Sequence, residues 1–373
     1  MEEYNLTEKT TAIVDKLIQT RKVSDEELKA LLLCEDQESL DYMAAKAREV
    51  REKHYGKDVY LRGLIEFTNY SKNNCYYCGI RRGNKNCERY RLTSDEILSC
   101  ADQGYELGFR TIVLQGGEDP YYTDDILVPI VKEIRERHPD CAITLSLGER
   151  SEESYECLFD AGANRYLLRH ETADRKHYEM LHPEEMSYDN RMQCLVTLRK
   201  LGYQVGCGMM IGSPYQTTEH LIKDLRFMQF FKPEMVGTGP FIPHQDTQFA
   251  NEEAGTAGMT LKILSIVRLL IPDVLLPATT ALGTIDPLGR EKGLLAGANV
   301  VMPNLSPTSV RGKYLLYDNK ICTGDEAAEC VRCMQLRVEK TGYHVVTDRG
   351  DHSSFAKNEE ELPWQKELES IMK

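Results

Sequence analysis

No apolar run in this 373-residue chain is long enough to cross a bilayer. The opening residues, Met1-Glu-Glu-Tyr-Asn5, are acidic and carry no apolar region of the signal-peptide kind, so a cytoplasmic location is the expectation. Positive charge is in short supply. Lys and Arg total 46 against 59 Asp and Glu, and the net charge of −13 argues against nonspecific nucleic-acid binding, which needs a positive face. No simple repeat or low-complexity segment is visible, and no Gly-x-Gly-x-x-Gly follows the first apolar run, which disfavours a dinucleotide-binding sheet. Cysteine is not scarce, but twelve thiols in a cytoplasmic chain do not read as a disulfide framework. Cys34, Cys100, Cys141, Cys157, Cys194 and Cys207 are isolated and are expected to be buried as small apolar groups. Two groups break that pattern: Cys75 with Cys78, and Cys322 with Cys330 and Cys333.

What remains is a globular enzyme composition, 41% hydrophobic and 28% charged, on a chain long enough for one (βα)8 barrel or two ordinary domains. Residues 7–54 read as helical. Thr7, Thr10 and Thr11 are candidate caps for a first helix, Ser24-Asp-Glu-Glu27 is a capping box for a second, and a third runs from about Ser39 to Lys53. From Val59 onward strand and helix signals alternate. Strands are expected at Val59–Phe67, Thr111–Gln115, Ala142–Leu147, Arg165–Leu168, Gln204–Ile211, Met235–Gly239, Val274–Thr279 and Asn299–Met302. Helical periods separate them, and eight strands in parallel βαβ units favour a closed (βα)8 TIM barrel over an open sheet. Past Pro307 the pattern changes. A helix is expected from about Asp325 to Thr341, and the tail from Thr347 to Glu361 is charged and poor in apolar residues. The predicted organisation is an N-terminal helical extension (1–56), a barrel (57–310) and a C-terminal segment (311–373).

In such a barrel the chemistry sits at the carboxyl ends of the strands. The polar runs that follow the strands, among them Gln115-Gly-Gly-Glu-Asp119, Arg169-His-Glu-Thr172, Pro240-Phe-Ile-Pro-His244 and Thr279-Thr280, would then converge on one mouth. The first such run holds Cys75-Tyr-Tyr-Cys78 on a loop leaving a strand. That pair suits a zinc site, a redox pair or an iron–sulfur cluster with an incomplete protein shell, as well as two ordinary thiols in a tight loop. His170 and His244 lie in mouth motifs, and a structural hydrogen-bonding role is favoured over proton donation.

The motifs Glu66-Phe-Thr-Asn69, Asn74-Cys-Tyr-Tyr-Cys-Gly-Ile-Arg-Arg82, Val113-Leu-Gln-Gly-Gly-Glu-Asp-Pro120, Thr144-Leu-Ser-Leu-Gly-Glu149, Arg165-Tyr-Leu-Leu-Arg-His-Glu-Thr-Ala173, Val236-Gly-Thr-Gly-Pro-Phe-Ile-Pro-His244 and Pro277-Ala-Thr-Thr-Ala281 are together specific. They resemble the radical S-adenosylmethionine (SAM) enzymes, and within them the HydE family of [FeFe]-hydrogenase maturation enzymes, over roughly residues 57–340. The resemblance implies a [4Fe-4S] cluster, SAM and a 5′-deoxyadenosyl radical. It implies a low-molecular-weight iron–cysteine carbonyl/cyanide substrate used in assembling the hydrogenase active site. An electron donor such as ferredoxin or flavodoxin and other maturation proteins would be its partners, with no nucleic acid or membrane. The family's Cys-x3-Cys-x2-Cys falls on Ser71, Cys75 and Cys78, so the first ligand position holds serine. Gly116, Gly117, Glu118, Glu171 and Arg191 match SAM-binding positions, and a guanidinium suits its carboxylate as an acid suits its amine or hydroxyls. Thr144, Ser146, Arg165, Met235, Thr279, Thr280 and Tyr317 match positions around the substrate cavity. Cys322, Cys330 and Cys333 match an accessory cluster, [2Fe-2S] or [4Fe-4S], found in some members.

Ser71 carries its own consequence. A serine oxygen is harder and more basic than a thiolate, so cluster binding should weaken. The serine is either an introduced replacement, or a natural variant completed by its own oxygen or by another thiol such as Cys87, or the mark of a barrel with a smaller cluster and no radical activity. Two alternative readings follow: a related enzyme with an amino-acid-derived substrate, of the methylornithine synthase or biotin synthase type, and a barrel that only binds SAM or metal.

Overall fold

In the computed structural model, which describes residues 2–324 and 327–355, three helices precede the first strand: α1 (Glu2–Thr20), α2 (Asp25–Leu33) and α3 (Gln37–Tyr55). Ser24 and Glu27 close the expected capping box on α2. The threonine caps do not form. α1 begins before Thr7, and the Thr11 hydroxyl donates to the Glu8 carbonyl 3.1 Å away, a back-bond that threonines inside helices make. α3 is capped by Asp36, whose carboxylate accepts from the Ser39 amide at 2.9 Å.

The alternation then runs β1 (Asp58–Leu61), β2 (Gly63–Thr68), α4 (Ser94–Glu106), β3 (Thr111–Gly116), α5 (Asp124–Arg137), β4 (Ala142–Ser146), α6 (Glu152–Asp160), β5 (Arg165–Leu167), α7 (Arg175–Leu181), α8 (Tyr188–Lys200), β6 (Gln204–Cys207), β7 (Met210–Ile211), α9 (Thr218–Phe231), β8 (Met235–Val236), β9 (Gly239–Pro240), α10 (Ala257–Leu270), α11 (Thr280–Ile285), α12 (Gly289–Leu295), β10 (Val300–Val301), α13 (Thr308–Arg311), α14 (Ala327–Glu339) and β11 (His344–Val346). Strands β2, β3, β4, β5, β6 and β8 pair in parallel in that order. Bridges from Met235 to Leu275, Pro277 to Val300 and Asn304 to Leu64 carry the pairing back to β2 and close the barrel. The long apolar strands are buried on both faces, as a parallel sheet wrapped by helices requires.

Four expected strands are interrupted. Val59–Phe67 breaks at Arg62 into β1 and β2, Gln204–Ile211 breaks at Gly208 and Met209, Met235–Gly239 breaks at Gly237 and Thr238 into β8 and β9, and Val274–Thr279 survives as single bridges because Thr279 turns out to be the N-cap of α11. Sequence periodicity passes over α7, too short to register, and β11, which pairs in parallel with β1. Cys157 is exposed, against expectation, because α6 turns Ser154, Tyr155 and Leu158 inward and leaves Cys157 on its other side. The start of the helix expected at Asp325, the acidic run Glu359–Glu361 and the end of the tail lie outside the described residues. Among the described residues no helix is long and apolar enough to cross a membrane.

Candidate active site

The loop leaving β2 is knitted to its surroundings before any ligand is considered. The Lys72 amide donates to the Glu118 carbonyl at 2.8 Å, Tyr76 to Leu181 at 3.1 Å and Gly79 to Leu316 at 2.9 Å. The Arg89 guanidinium gathers the carbonyls of Ile80, Arg81 and Asn84 at 2.8, 2.6 and 3.2 Å. Asn69 ties the loop to Glu88 and Lys313 at 2.8 and 2.7 Å. The aromatic pair between the cysteines has a clear job at Tyr77. Its hydroxyl donates to His182 Nε2 at 3.0 Å, since His182 Nδ1 is committed to donating to the Tyr178 carbonyl at 2.8 Å. Burial pushes His182 down to about 3, so it stays neutral and keeps this acceptor role.

Cys75 and Cys78 face each other across a turn in which the Cys78 amide donates to the Cys75 carbonyl at 3.4 Å. Burial pushes the Cys78 thiol up to about 11 and pushes Cys75 up as well, with Cys78 adding to the effect. Ser71 stands earlier on the same loop, its Oγ accepting from the Asn73 amide at 3.2 Å. A Cβ at Gly117 would strike the Tyr70 carbonyl and come within 3.0 Å of Ser71 Cβ, so only glycine lets the Gly116-Gly117 segment close onto this loop. Gly148 is needed for two reasons: its φ is +74°, and a Cβ there would strike the Glu118 carboxylate.

Around Glu118 lies a charged ring. Arg191 donates to Glu149 at 2.6 Å and to the Arg169 carbonyl at 3.0 Å, and its guanidinium stands 3.5 Å from Glu118. Lys72 stands 3.4 Å from Glu118 on the other side. Burial raises the Glu118 carboxyl, opposed by Arg191. For Arg191, burial lowers but the Glu149 and Glu118 charges prevail and hold it well above its ordinary value. Glu171, at φ +66°, has its Oε2 3.2 Å from the Arg169 guanidinium, an ion pair without hydrogen-bond geometry. A cleft of about 330 Å³ opens next to this ring, lined by Lys72, Glu118, Glu149 and Arg150.

Below the mouth, the barrel lumen is cationic at its floor. Arg62 and Arg165 are both buried; burial holds the Arg62 guanidinium well below its ordinary value, and the nearby Arg165 charge lowers it further. Arg62 donates to the Met235 sulfur, leaving Nε and Nη2 without partners. Arg165 donates to Thr111 at 3.0 Å and pairs with Asp351 at 2.7 Å, leaving Nε unpartnered, and the Thr144 hydroxyl beside it is unpartnered too. Higher up, Glu66 is neutralised by Lys320 at 2.6 Å and by the Asn304 amide at 2.8 Å. Tyr317 shares a hydrogen bond with Thr284 and burial pushes it up to about 12. Thr280 accepts from Arg290 at 3.2 Å, and the Thr279 hydroxyl accepts from the Leu282 amide at 3.3 Å. Ser146 is half-buried at the end of β4, in register with Gln115. The sequence reading missed Glu149, Arg62, Glu66 and Lys320 as site residues. A lone charge inside the apolar run Val59–Ile65 was a signal for Arg62; Lys320 carried none.

The second cysteine group is partly assembled. Cys322 and Cys330 are in hydrogen-bonding contact and Arg290 approaches Cys322 Sγ at 3.6 Å, whereas Cys333 is exposed on α14. Among the described residues no group of three or more His, Cys, Asp and Glu side chains stands in a metal-holding arrangement.

Residues 65–228 match the family model of the Radical SAM superfamily, a window that contains Ser71, Cys75, Cys78, Gly116, Gly117, Glu118, Glu171 and Arg191. The chain is 47% identical over 338 residues to the [FeFe] hydrogenase maturase subunit HydE of Thermotoga maritima, covering 91% of this chain and 96% of that protein. The chain belongs to the HydE-like radical SAM enzymes. It is also 32% identical to a 3-methylornithine synthase of Methanosarcina barkeri, over 88% of this chain and 92% of that one. The crystal structure of methylornithine synthase (PylB) superposes with a TM-score of 0.78 at 30% identity, covering 90% of this chain and 97% of that one. For a HydE-like enzyme the family implies a [4Fe-4S] cluster and SAM. The loop carries two thiols and one hydroxyl on a frame fixed by backbone hydrogen bonds, so its donor set suits the cluster at Cys75 and Cys78 and departs from it at Ser71.

Proposed function

We propose that this HydE-like enzyme acts on a small anionic iron–cysteine complex bearing carbonyl and cyanide ligands, as a step in hydrogenase active-site assembly. The observation that carries this reading is the buried pair Arg62 and Arg165, with three guanidinium nitrogens and the Thr144 hydroxyl unpartnered at the barrel floor. Buried donors without acceptors are costly, and an anion with several acceptor atoms relieves that cost. An amino-acid substrate of the methylornithine synthase kind would want a buried acid for its ammonium group. Glu66 is already neutralised by Lys320 and Asn304, which favours the anionic reading.

Cys75 and Cys78 would hold the cluster, with Ser71 at the third position. When bound with one iron open, such a cluster supplies the electron that splits the SAM sulfonium to methionine and a 5′-deoxyadenosyl radical. Arg191 would take the SAM carboxylate, the Gly116–Glu118 backbone its amine, and Glu171 its amine or hydroxyls. Met235, Thr279, Thr280, Ser146 and Tyr317 would line the space between SAM and the arginine floor. We read Ser71 as weakening cluster loading without disturbing the SAM pocket. Cys322, Cys330 and Cys333 would form an accessory site without a catalytic role. A cytoplasmic location, a ferredoxin- or flavodoxin-type donor and the division at residues 56 and 310 belong to the same reading.

The test is retention of the iron complex after anaerobic gel filtration, read by the infrared bands of its carbonyl and cyanide ligands. Wild type should retain it, and the double variant Arg62→Met/Arg165→Met should lose it. Retention of a lysine-like amino acid in its place would overturn the proposal.

A further inference from the structure

Glu171 is held in an unfavourable backbone conformation, and the residues that hold it are themselves outside the site. Its φ of +66° is in the left-handed region, which a non-glycine residue adopts at a cost unless its surroundings impose it. Its amide donates to the Gly208 carbonyl at 3.0 Å, and its carbonyl accepts from Met210 at 3.4 Å. The residues on either side are fixed by one carboxylate. Asp224 Oδ1, on α9, accepts from the Ala173 amide at 2.5 Å and lies 3.1 Å from His170 Nε2. The tautomer of His170 follows from its other nitrogen. Nδ1 accepts from the Gly208 amide at 3.2 Å, so Nε2 carries the proton and donates to Asp224. His170 and Asp224 are both fully buried, and Asp224 Oδ2 has no partner.

We propose that His170 and Asp224 are positioning residues for SAM binding: together they clamp positions 170 and 173 and thereby aim the Glu171 carboxylate into the site. A buried acid that spends one oxygen on two donors flanking a strained residue does more than fill space. The same stretch could have been packed with apolar side chains, as α9 does elsewhere along this face with Leu225 and Met228. The inference rests on Glu171 being a SAM contact, and the experiment separates the two claims.

SAM itself is titrated into the full-length chain by calorimetry, with iron content matched among wild type, Glu171→Gln, Asp224→Ala and the double variant. Glu171→Gln should weaken binding about tenfold, as loss of a charged hydrogen bond does. Asp224→Ala should weaken it comparably in the wild-type background and by less than about twofold in the Glu171→Gln background, because it acts through that carboxylate. Equal weakening by Asp224→Ala in both backgrounds would mean a merely structural role and overturn the proposal, as would wild-type affinity in Asp224→Ala. Wild-type affinity in Glu171→Gln would instead sink the assignment of Glu171 to SAM. Should Asp224→Ala not fold, His170→Phe, which keeps a ring and loses both the donor toward Asp224 and the acceptor for Gly208, enters the same cycle with the same expected pattern. Asp224→Asn, which retains the Oδ1 acceptor, should bind within about twofold of wild type, and tenfold loss there would also count against the clamp.

Discussion

At the residue scale the chemistry turns on donors, and two substitutions test it. Ser71→Cys supplies a third thiolate where the loop already has its shape, since the Lys72, Tyr76 and Gly79 amides fix the backbone whatever side chain stands at 71. Iron and sulfide retained per chain after anaerobic reconstitution should rise, and the reduced protein should show a stronger paramagnetic signal; equal loading of the two proteins would refute the reading of Ser71. Glu149→Gln tests the ring around Arg191. It removes the charge from the guanidinium's shortest contact, 2.6 Å, and leaves an uncharged carbonyl in its place. SAM binding should weaken about tenfold, the worth of a charge-assisted bond, and an unchanged dissociation constant would show Arg191 to be held by its other partners. Both residues were within reach of sequence reading. The serine was visible from the spacing, while Glu149 lay in a quoted motif but lacked a partner there, because Arg191 is 42 positions away.

At the scale of elements, the C-terminal segment is bound into the barrel rather than laid over it. Lys320 reaches Glu66 on β2 and the Tyr314 carbonyl at 2.9 Å, and Gly79 donates to Leu316. Both charges of the Glu66–Lys320 pair are buried, so breaking it strands one of them. Lys320→Met should cost about 3–5 kcal/mol of unfolding free energy by denaturant titration, and adding Glu66→Leu should recover much of that. If the single and double variants are equally unstable, the pair is not what secures the segment. None of this was legible from periodicity, since the two residues are 254 positions apart and Lys320 lies in a polar run without a helical or strand period.

At the scale of the molecule, the barrel floor is sealed by chain from its far end. Asp351 pairs with Arg165 at 2.7 Å and accepts from Gln204 at 2.7 Å. Burial raises the Asp351 carboxyl, but Arg165, Gln204 and Arg349 outweigh it and hold it down at about 2, below its unfolded value of about 3.9. Its stabilising contribution is therefore present above about pH 4 and is lost as pH falls through about 2. Thermal melts across that window should show wild type losing stability steeply and Asp351→Asn losing less, from a lower starting point at pH 7. Parallel curves would mean that the floor is sealed by packing alone. The N-terminal helices are joined to the barrel in a similar manner: Lys262 of α10 donates to the Leu32 and Cys34 carbonyls at the end of α2, at 2.7 and 2.5 Å.

The sequence by itself determined the order of helices and strands, the closed barrel and the family, because those depend on local periodicity, caps and short motifs in which the informative residues are neighbours. It also placed Ser71 where a thiolate is expected and set the glycines at 116 and 117 beside it. Only the tertiary structure decided which charges meet. Arg62 beside Arg165, Glu66 against Lys320, Glu149 on Arg191 and the His170–Asp224 clamp on Glu171 join residues from different strands and helices. Their energies depend on distance and burial, quantities that exist only once the barrel has closed and excluded water.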